Sequence, residues 1–245
     1  MDSVANTVFI VDDTDEVRLG LSRLLAAAGY RVKSFKSAEA FLKEQDEAEP
    51  GCLLLDVFLP GLSGIELQRE LAGSPCARPI VFLTGKEDVK TTVVAMKEGA
   101  VDFLTKPVEK ESLFGALDHA LRRDVECRRE YAVRSMIRER VRSLTPREWD
   151  VMARVFRGRL NKQIAAELEI GEKTVKVHRS RVMSKMAVRS VAELVQLGAR
   201  IGILTPAVVS TTSAARDALR QTSARLSLAA TASSAQHNSH LQFSQ

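Results

Sequence analysis

The chain has 245 residues, 45% of them apolar and 27% charged, which suits one large or two ordinary folded domains and excludes a disordered or fibrous chain. No apolar stretch approaches the roughly 20 residues of a membrane span, and the N-terminus lacks the basic-then-apolar pattern of a secretory signal. The net charge of +5 is uneven: residues 1–122 carry 14 basic against 20 acidic side chains and residues 123–245 carry 22 against 11, so only the second half is suited to nucleic acid.

The first apolar run, Val8 to Val11, ends in Asp12 and Asp13. Thr14 or Asp15 then opens a helix whose inward face is Val17, Leu21, Leu24, Leu25 and Ala28, with Gly29 as its stop. Val32 and Phe35 alternate with basic residues in a short second strand, and Ser37 caps a helix from Ala38 to about Gln45. The run Cys52 to Leu55, ending in Asp56, lies between Pro50-Gly51 and Pro60-Gly61 and reads as a short buried strand. Ser63-Gly64 opens a helix over Ile65, Leu67 and Leu71; a strand from Ile80 to Leu83 ends in Thr84; a helix runs from Asp88 to Lys97; and a last strand, Val101 to Leu104, precedes Lys106-Pro107. Strand and helix alternate throughout, which predicts an α/β doubly wound (flavodoxin-like) parallel sheet over residues 1–122.

Ligands of open α/β sheets bind at the carboxyl ends of the strands. Asp12, Asp13 and Asp56 reach that edge with the hydroxyl of Thr84 and the amine of Lys106. One aspartate at a strand end is usually a turn former; it is the combination that points to chemistry. Three crowded carboxylates repel one another, and a hard divalent cation such as Mg2+ relieves them while keeping affinity for phosphate oxygens. Thr84 can donate to a phosphoryl oxygen and Lys106 can neutralise one, so the parts suit aspartyl-phosphate chemistry. The chain has no Gly-rich phosphate loop with Lys-Ser/Thr, so the donor is expected to be another protein or a small acyl phosphate.

The stretches Val11-Asp12-Asp13, Asp56 through Gly64, Leu83-Thr84-Gly85 and Asp102 through Pro107 resemble the receiver domain of two-component response regulators. That resemblance implies that Asp56 accepts phosphate from a sensor histidine kinase. It implies that Asp13, Asp56 and the backbone carbonyl of Phe58 hold Mg2+, with Asp12 acting partly through water, and that Thr84 and Lys106 bind the phosphoryl group. It also implies a cis Lys106-Pro107 bond and a switch in which Thr84 moves and Phe103 rotates inward. Phe58 stands where the family often has a polar residue, near the route of hydrolytic water.

From about Glu109 to Val141 the only glycine is Gly115 and there is no proline. Leu113, Leu117, Ala120 and Leu121 form an apolar stripe, after which the sequence turns Arg- and Glu-rich. This reads as one long helix or a helix broken near Glu130, with residues 123–143 as a helical linker that is either solvated or a dimer seam. Cys52, Cys76 and Cys127 fit no metal or redox spacing and read as inert reduced thiols, consistent with cytoplasm.

In residues 144–203, Thr145, Pro146 and Glu148 compose a helix start with a capping box. Trp149, Met152, Val155 and Phe156 make its buried face. A second helix begins at Asn161, Ile170-Gly171 makes a turn, a third helix runs from about Lys173 to Met186, and a fourth uses Leu194, Leu197 and Ile201 as anchors. The middle pair is a helix-turn-helix. Since Val175, Val182 and Met186 recur at helical spacing, they face the core, and Lys173, Lys176, Val177, Ser180 and Ser184 face out. Lys176 can donate to guanine and Val177 can touch a thymine methyl; Arg179, Arg181 and Lys185 are placed for phosphates, as is Thr174 near the helix N-terminus. His178 reads as a packed residue, without a partner at metal-ligand spacing. Residues from Thr205 onward, within a tail of 204–245, are Ala/Ser/Thr-rich and are expected to be disordered, the alternative being a weak amphipathic helix over Ala207–Leu228.

Leu144 through Glu148, Asn161 through Ala165 and Lys173 through His178 resemble the LuxR-type DNA-binding domain, a small all-α helix-turn-helix domain. Ala187 replaces the glycine frequent after the reading helix. Together the resemblances imply a response regulator of the FixJ/NarL type: not an enzyme beyond its own phosphotransfer and autodephosphorylation, binding double-stranded promoter DNA, forming a homodimer on phosphorylation, and able to meet RNA polymerase. The alternatives are a phosphorylation-controlled adaptor that no longer reads DNA and a metal-dependent phosphohydrolase, which would need a cap this half is too compact to supply.

Overall fold

The computed structural model describes residues 7–85 and 89–202. The chain divides into two compact units, the first ending at Ala132 and the second beginning at Val133. Nothing described bears on the reading of residues 204–245, which lie outside that range.

The first unit contains β1 (Thr7–Val11), α1 (Asp15–Ala27), β2 (Arg31–Phe35), α2 (Ala38–Glu44), β3 (Gly51–Asp56), α3 (Gly64–Leu71), β4 (Ile80–Thr84), α4 (Val89–Lys97), β5 (Asp102–Thr105) and the start of α5 (Lys110–Arg142). The sheet is parallel throughout, in the order β2-β1-β3-β4-β5. Its central strands β1, β3 and β4 are buried along their whole length, because both faces of the sheet are covered.

The two-residue period of a strand sends alternate side chains to opposite layers. Phe9, Val11, Leu53, Leu55 and Phe82 pack on one face with Phe41, Leu67, Leu71 and Ala95 of α2, α3 and α4. Val8, Ile10, Cys52, Leu54, Val81 and Leu83 pack on the other with Leu25 of α1 and Leu113, Leu117 and Leu121 of α5. Continuous apolar runs without polar alternation are thus the mark of a sheet wound on both sides. Gly51 opens β3 at φ +151°, where a Cβ would stand 2.2 Å from the Thr7 carbonyl oxygen, so this strand can enter beside β1 only through glycine.

The second unit consists of the end of α5 with α6 (Pro146–Phe156), α7 (Asn161–Leu168), α8 (Glu172–Met186) and α9 (Val191–Arg200). Ile137 and Val141 of α5 join Trp149, Met152, Val155, Ile164, Val175, Val182, Met186 and Leu194 in one core. The capping box expected at the start of α6 is present: Glu148 N–H donates to Thr145 Oγ1 and Thr145 N–H donates back to Glu148 Oε2. α5 is a single helix with no break at Glu130.

Two carbonyl-end positions in this unit are left-handed without glycine: Glu169 after α7 at φ 54° and Ala187 after α8 at φ 53°. Each closes its helix with N–H bonds to the last turn, and Glu169 leads directly into the turn that separates α7 from α8.

Candidate functional site: strand-tip carboxylates and a basic reading helix

In the order β2-β1-β3-β4-β5 the winding direction reverses between β1 and β3, and a crevice forms at their carboxyl ends. Asp12 follows β1 and Asp56 ends β3, so both stand at that point. Carboxylate oxygens of Asp12, Asp13 and Asp56 lie within 4.8 Å of one another. Asp12 is fully buried and Asp56 is 6% exposed, whereas Asp13 faces solvent.

Each buried carboxylate is oriented by the backbone. Asp12 Oδ1 accepts Thr14 N–H at 2.9 Å, and Arg18 donates to the Asp12 carbonyl at 2.7 Å. Asp56 Oδ1 accepts Phe58 N–H at 3.0 Å. Lys106 Nζ lies between the two acids, 2.6 Å from Asp12 Oδ2 and 2.5 Å from Asp56 Oδ2. Burial raises the pKa of the Asp56 carboxyl, and the Lys106 ammonium and Phe58 N–H offset only part of that rise. Burial alone would lower the Lys106 ammonium's pKa, but its bonds to Asp12 and Asp56 reverse the sign and raise it. Three carboxylates against one ammonium leave an excess of negative charge on hard oxygens, a donor set that fits a divalent cation.

The loop after β3 is braced so that Asp56 points into the crevice. Val57 N–H donates to Leu83 O, and Gly64 N–H donates to Val57 O. Ser63 and Glu66 form a capping box at the start of α3, and Glu39 Oε1 accepts Leu62 N–H at 2.9 Å. Gly64 sits so close beneath β3 that a Cβ there would meet the Asp56 carbonyl oxygen at 2.3 Å. Thr84, fully buried, ends β4 one residue beyond the Asp56–Leu83 pairing, and Lys106 N–H donates to its carbonyl at 2.7 Å. Phe103 of β5 is half-buried against Phe82, ring centroids 6.2 Å apart, and the Lys106-Pro107 bond is cis.

In the second unit, α8 has the two faces its periodicity predicts. Val175, Val182 and Met186 are buried; Lys173, Thr174, Lys176, Val177, Ser180, Arg181 and Ser184 are exposed. Val177 is 45% exposed, an apolar side chain turned outward between cations. Arg179 is half-buried and donates to Asn161 Oδ1 at 2.8 Å, which ties α8 to the first turn of α7. Lys185 turns toward the protein, donating to Glu148 Oε2 at 2.7 Å and to the Ser143 carbonyl at 2.8 Å. The ring Nδ1 of His178 is buried and makes no hydrogen bond, in keeping with a packed histidine.

Residues 8–118 match the response regulator receiver domain, and residues 142–197 match the bacterial regulatory proteins of the luxR family. The response regulator protein TmoT of Ectopseudomonas mendocina is 42% identical over 82% of this chain and 91% of its own length. The transcriptional regulatory protein FixJ of Bradyrhizobium diazoefficiens is 41% identical over 80% of this chain and 96% of its own. The chain belongs to the FixJ-type response regulators. The solved structure of the response regulator StyR, 45% identical, superposes with a TM-score of 0.74 over 80% of this chain and 99% of its own.

Response regulators of this organisation regulate transcription through phosphorylation and DNA binding, so a sensor kinase stands upstream of this protein and DNA downstream. It is a regulator rather than a conventional enzyme. Among the described residues no helix is long and apolar enough to cross a membrane. The braces that hold the regulator's crevice, Arg18 and Glu39, gave no signal in the sequence. Each acts on a backbone group brought near only by folding, and a lone charged residue on an exposed helix face does not announce such a contact.

Proposed function

We propose that this response regulator accepts a phosphoryl group on Asp56 and that the event changes its assembly on promoter DNA. The reading is carried by one observation: the Asp56 carboxylate stands at the tip of β3 with one oxygen on Phe58 N–H and the other on Lys106, beside Asp12 and Asp13. An Asp56 oxygen attacks the phosphorus of a phosphohistidine on the kinase; the O–P bond forms, the P–N bond breaks, and the kinase imidazole takes a proton. Asp13, Asp56 and the Phe58 carbonyl would hold Mg2+, with Asp12 beside them. When bound, that cation neutralises charge on the transferring phosphoryl oxygens.

Lys106 exchanges its bond to Asp56 for one to the phosphoryl group, and Thr84 donates its hydroxyl to a second oxygen. Phe103, packed at the edge of the core against Phe82, follows Thr84 inward. The same machinery serves autodephosphorylation. Exposure of the Phe58 side chain beside the crevice puts an apolar surface near the path of hydrolytic water. A homodimer then presents two α8 helices to two half-sites, with Lys176 and Val177 reading bases and Lys173, Thr174, Arg179, Ser180 and Arg181 holding register on the backbone. Residues 123–143 connect the two functions, RNA polymerase is a further partner, and the setting is cytoplasmic.

Sedimentation of the full chain with Mg2+, with and without beryllofluoride, tests the proposal. A shift from monomer to dimer is expected in the wild type and not in Asp56→Asn. Wild-type and Asp56→Asn proteins that respond alike would remove Asp56 from the switch. Lys176→Ala and Val177→Ala should change site preference on labelled duplex; unchanged preference in both would move the reading face elsewhere.

A further inference from the structure

At the end of the sheet opposite the carboxylate crevice, α5 is fastened to the first unit by groups that the phosphorylation site does not use. Asp124, 2% exposed, accepts Gly51 N–H at 2.9 Å and pairs with Arg128 one turn later, also at 2.9 Å. The Arg128 guanidinium continues to the carbonyls of Glu47, Ala48 and Glu49 at 3.0–3.1 Å. Arg78, buried against the Phe9 ring at 3.9 Å, reaches the Gln45 side chain and the carbonyls of Asp46 and Glu49. The space left beside Leu71, Cys76, Arg78 and Arg128 is about 10 Å³. That volume admits at most a single water, so this cluster is no ligand pocket.

Cys127 precedes Arg128 on α5, and Cys76 lies in the connection between α3 and β4. Their sulfurs are in contact: Cys127 S–H donates to Cys76 Sγ at 3.1 Å. Both thiols are partly exposed, whereas Cys52 is fully buried in the sheet. A disulfide needs a sulfur–sulfur separation of about 2.05 Å, so closure requires about 1 Å of movement. The sequence separation of 51 positions hides this pairing from any reading of cysteine spacing.

We infer that Cys76 and Cys127 are a redox site, closed to an intramolecular disulfide by a peroxide and reopened by a dithiol, and that closure locks α5 onto the first unit. Cys127 sulfur attacks one peroxide oxygen; the S–O bond forms, the O–O bond breaks, and water leaves, giving a sulfenic acid. Cys76 sulfur then attacks Cys127 sulfur; the S–S bond forms, the S–O bond breaks, and the Cys76 proton departs with hydroxide as a second water. One peroxide is reduced to two waters as two thiols become one disulfide. Burial and the neighbouring Cys127 push the Cys76 thiol up to about 12, so little Cys76 thiolate is available to attack peroxide first. In a reducing compartment such a pair stays open until an oxidant appears.

The lock acts where α5 is already held by Asp124 and Arg128. While the bond is closed, this stretch cannot leave the first unit even when those hydrogen bonds break.

The full chain, treated with hydrogen peroxide and alkylated after denaturation, tests the inference. One of the three thiols should react, the monomer should be lighter by two hydrogens, and a peptide map should link Cys76 to Cys127, all reversed by dithiothreitol. Hydrogen exchange at the α5 amides from 123 to 129 should slow several-fold in the oxidised wild type and not in peroxide-treated Cys76→Ser. A bridge to Cys52, a disulfide-linked dimer, or oxygen-bearing monomers without the linked peptide would overturn the site. A linked peptide with unchanged exchange would overturn the lock.

Discussion

Replacing Lys185 with methionine should destabilise the second unit by about 2–3 kcal/mol near neutral pH, and the loss should shrink in acid. Glu148 is 2% exposed, and its Oε2 receives Lys185 Nζ at 2.7 Å and Thr145 N–H at 2.8 Å. Removing one partner of a fully buried ion pair costs roughly 3–5 kcal/mol. Here the Lys185 side chain is 34% exposed, so screening lowers the figure toward the roughly 1.5–3 kcal/mol of one charged hydrogen bond.

Burial alone would raise the pKa of the Glu148 carboxyl, but the bonds from Lys185 and Thr145 outweigh it and hold it below the usual carboxylate range. A depressed folded-state value stabilises above the unfolded value, and the contribution is lost as pH falls through the folded one. In Lys185→Met the ammonium is gone while burial remains, so the value moves up and protonation relieves the mutant instead of harming it. The gap between the two proteins is therefore widest near neutrality. Trp149 is the only tryptophan and is 4% exposed in this core, so its fluorescence in urea titrations of the full chain follows the second unit. A gap of equal size in neutral and mildly acidic buffer would refute the reasoning. So would an unreduced cost of Lys185→Met in a Glu148→Gln background, where the charge it serves is absent.

Two further changes test backbone positions. Gly64→Ala should destabilise the first unit by roughly 1–3 kcal/mol, because the new Cβ meets the Asp56 carbonyl oxygen at 2.3 Å and must displace the tip of β3. Far-UV circular dichroism in urea measures the loss, and slowed phosphorylation of Asp56 by a small acyl phosphate should accompany it; full stability and rate would show that the contact is not tight. Ala187→Gly should stabilise the second unit by roughly 0.5–1 kcal/mol, since Ala187 stands at φ 53° after α8 where an L side chain is disfavoured. The Trp149 midpoint reads this change, and an unchanged or lower midpoint would mean that the added freedom of glycine in the unfolded chain cancels the relief.

The sheet and its crevice were legible because their signals are local. A continuous apolar run such as Cys52–Leu55 declares a strand covered on both faces, and an aspartate immediately after it has to emerge at an end. The inward and outward faces of α8 followed from Val175, Val182 and Met186 for the same reason: period is a property of neighbouring residues. What stayed hidden joins residues far apart in the chain through backbone groups. Asp124 accepts the N–H of Gly51, and Arg128 caps three carbonyls between 47 and 49; neither partner has a side-chain identity that sequence could display. Lys185 departs from its phosphate-facing expectation for a related reason. On a helical wheel it flanks the basic face, but a long side chain reaches an acid on α6 that the wheel does not contain.

A sheet buried on both faces has only its two ends at which polar groups can act without desolvation along the strands. The carboxyl ends of β1 and β3 carry Asp12 and Asp56, with Lys106 between them. The amino end of β3 begins at Gly51, whose N–H is received by Asp124 of α5. The strand that presents Asp56 at one end therefore holds α5 at the other, five residues away along an extended, fully buried backbone. α5 continues from there without a break to Arg142, where Ile137 and Val141 already belong to the second core. A displacement of β3 at the crevice can thus bear on the anchorage of α5 through one strand, with no need of a chain of surface contacts, and the Cys76–Cys127 contact lies beside that anchorage.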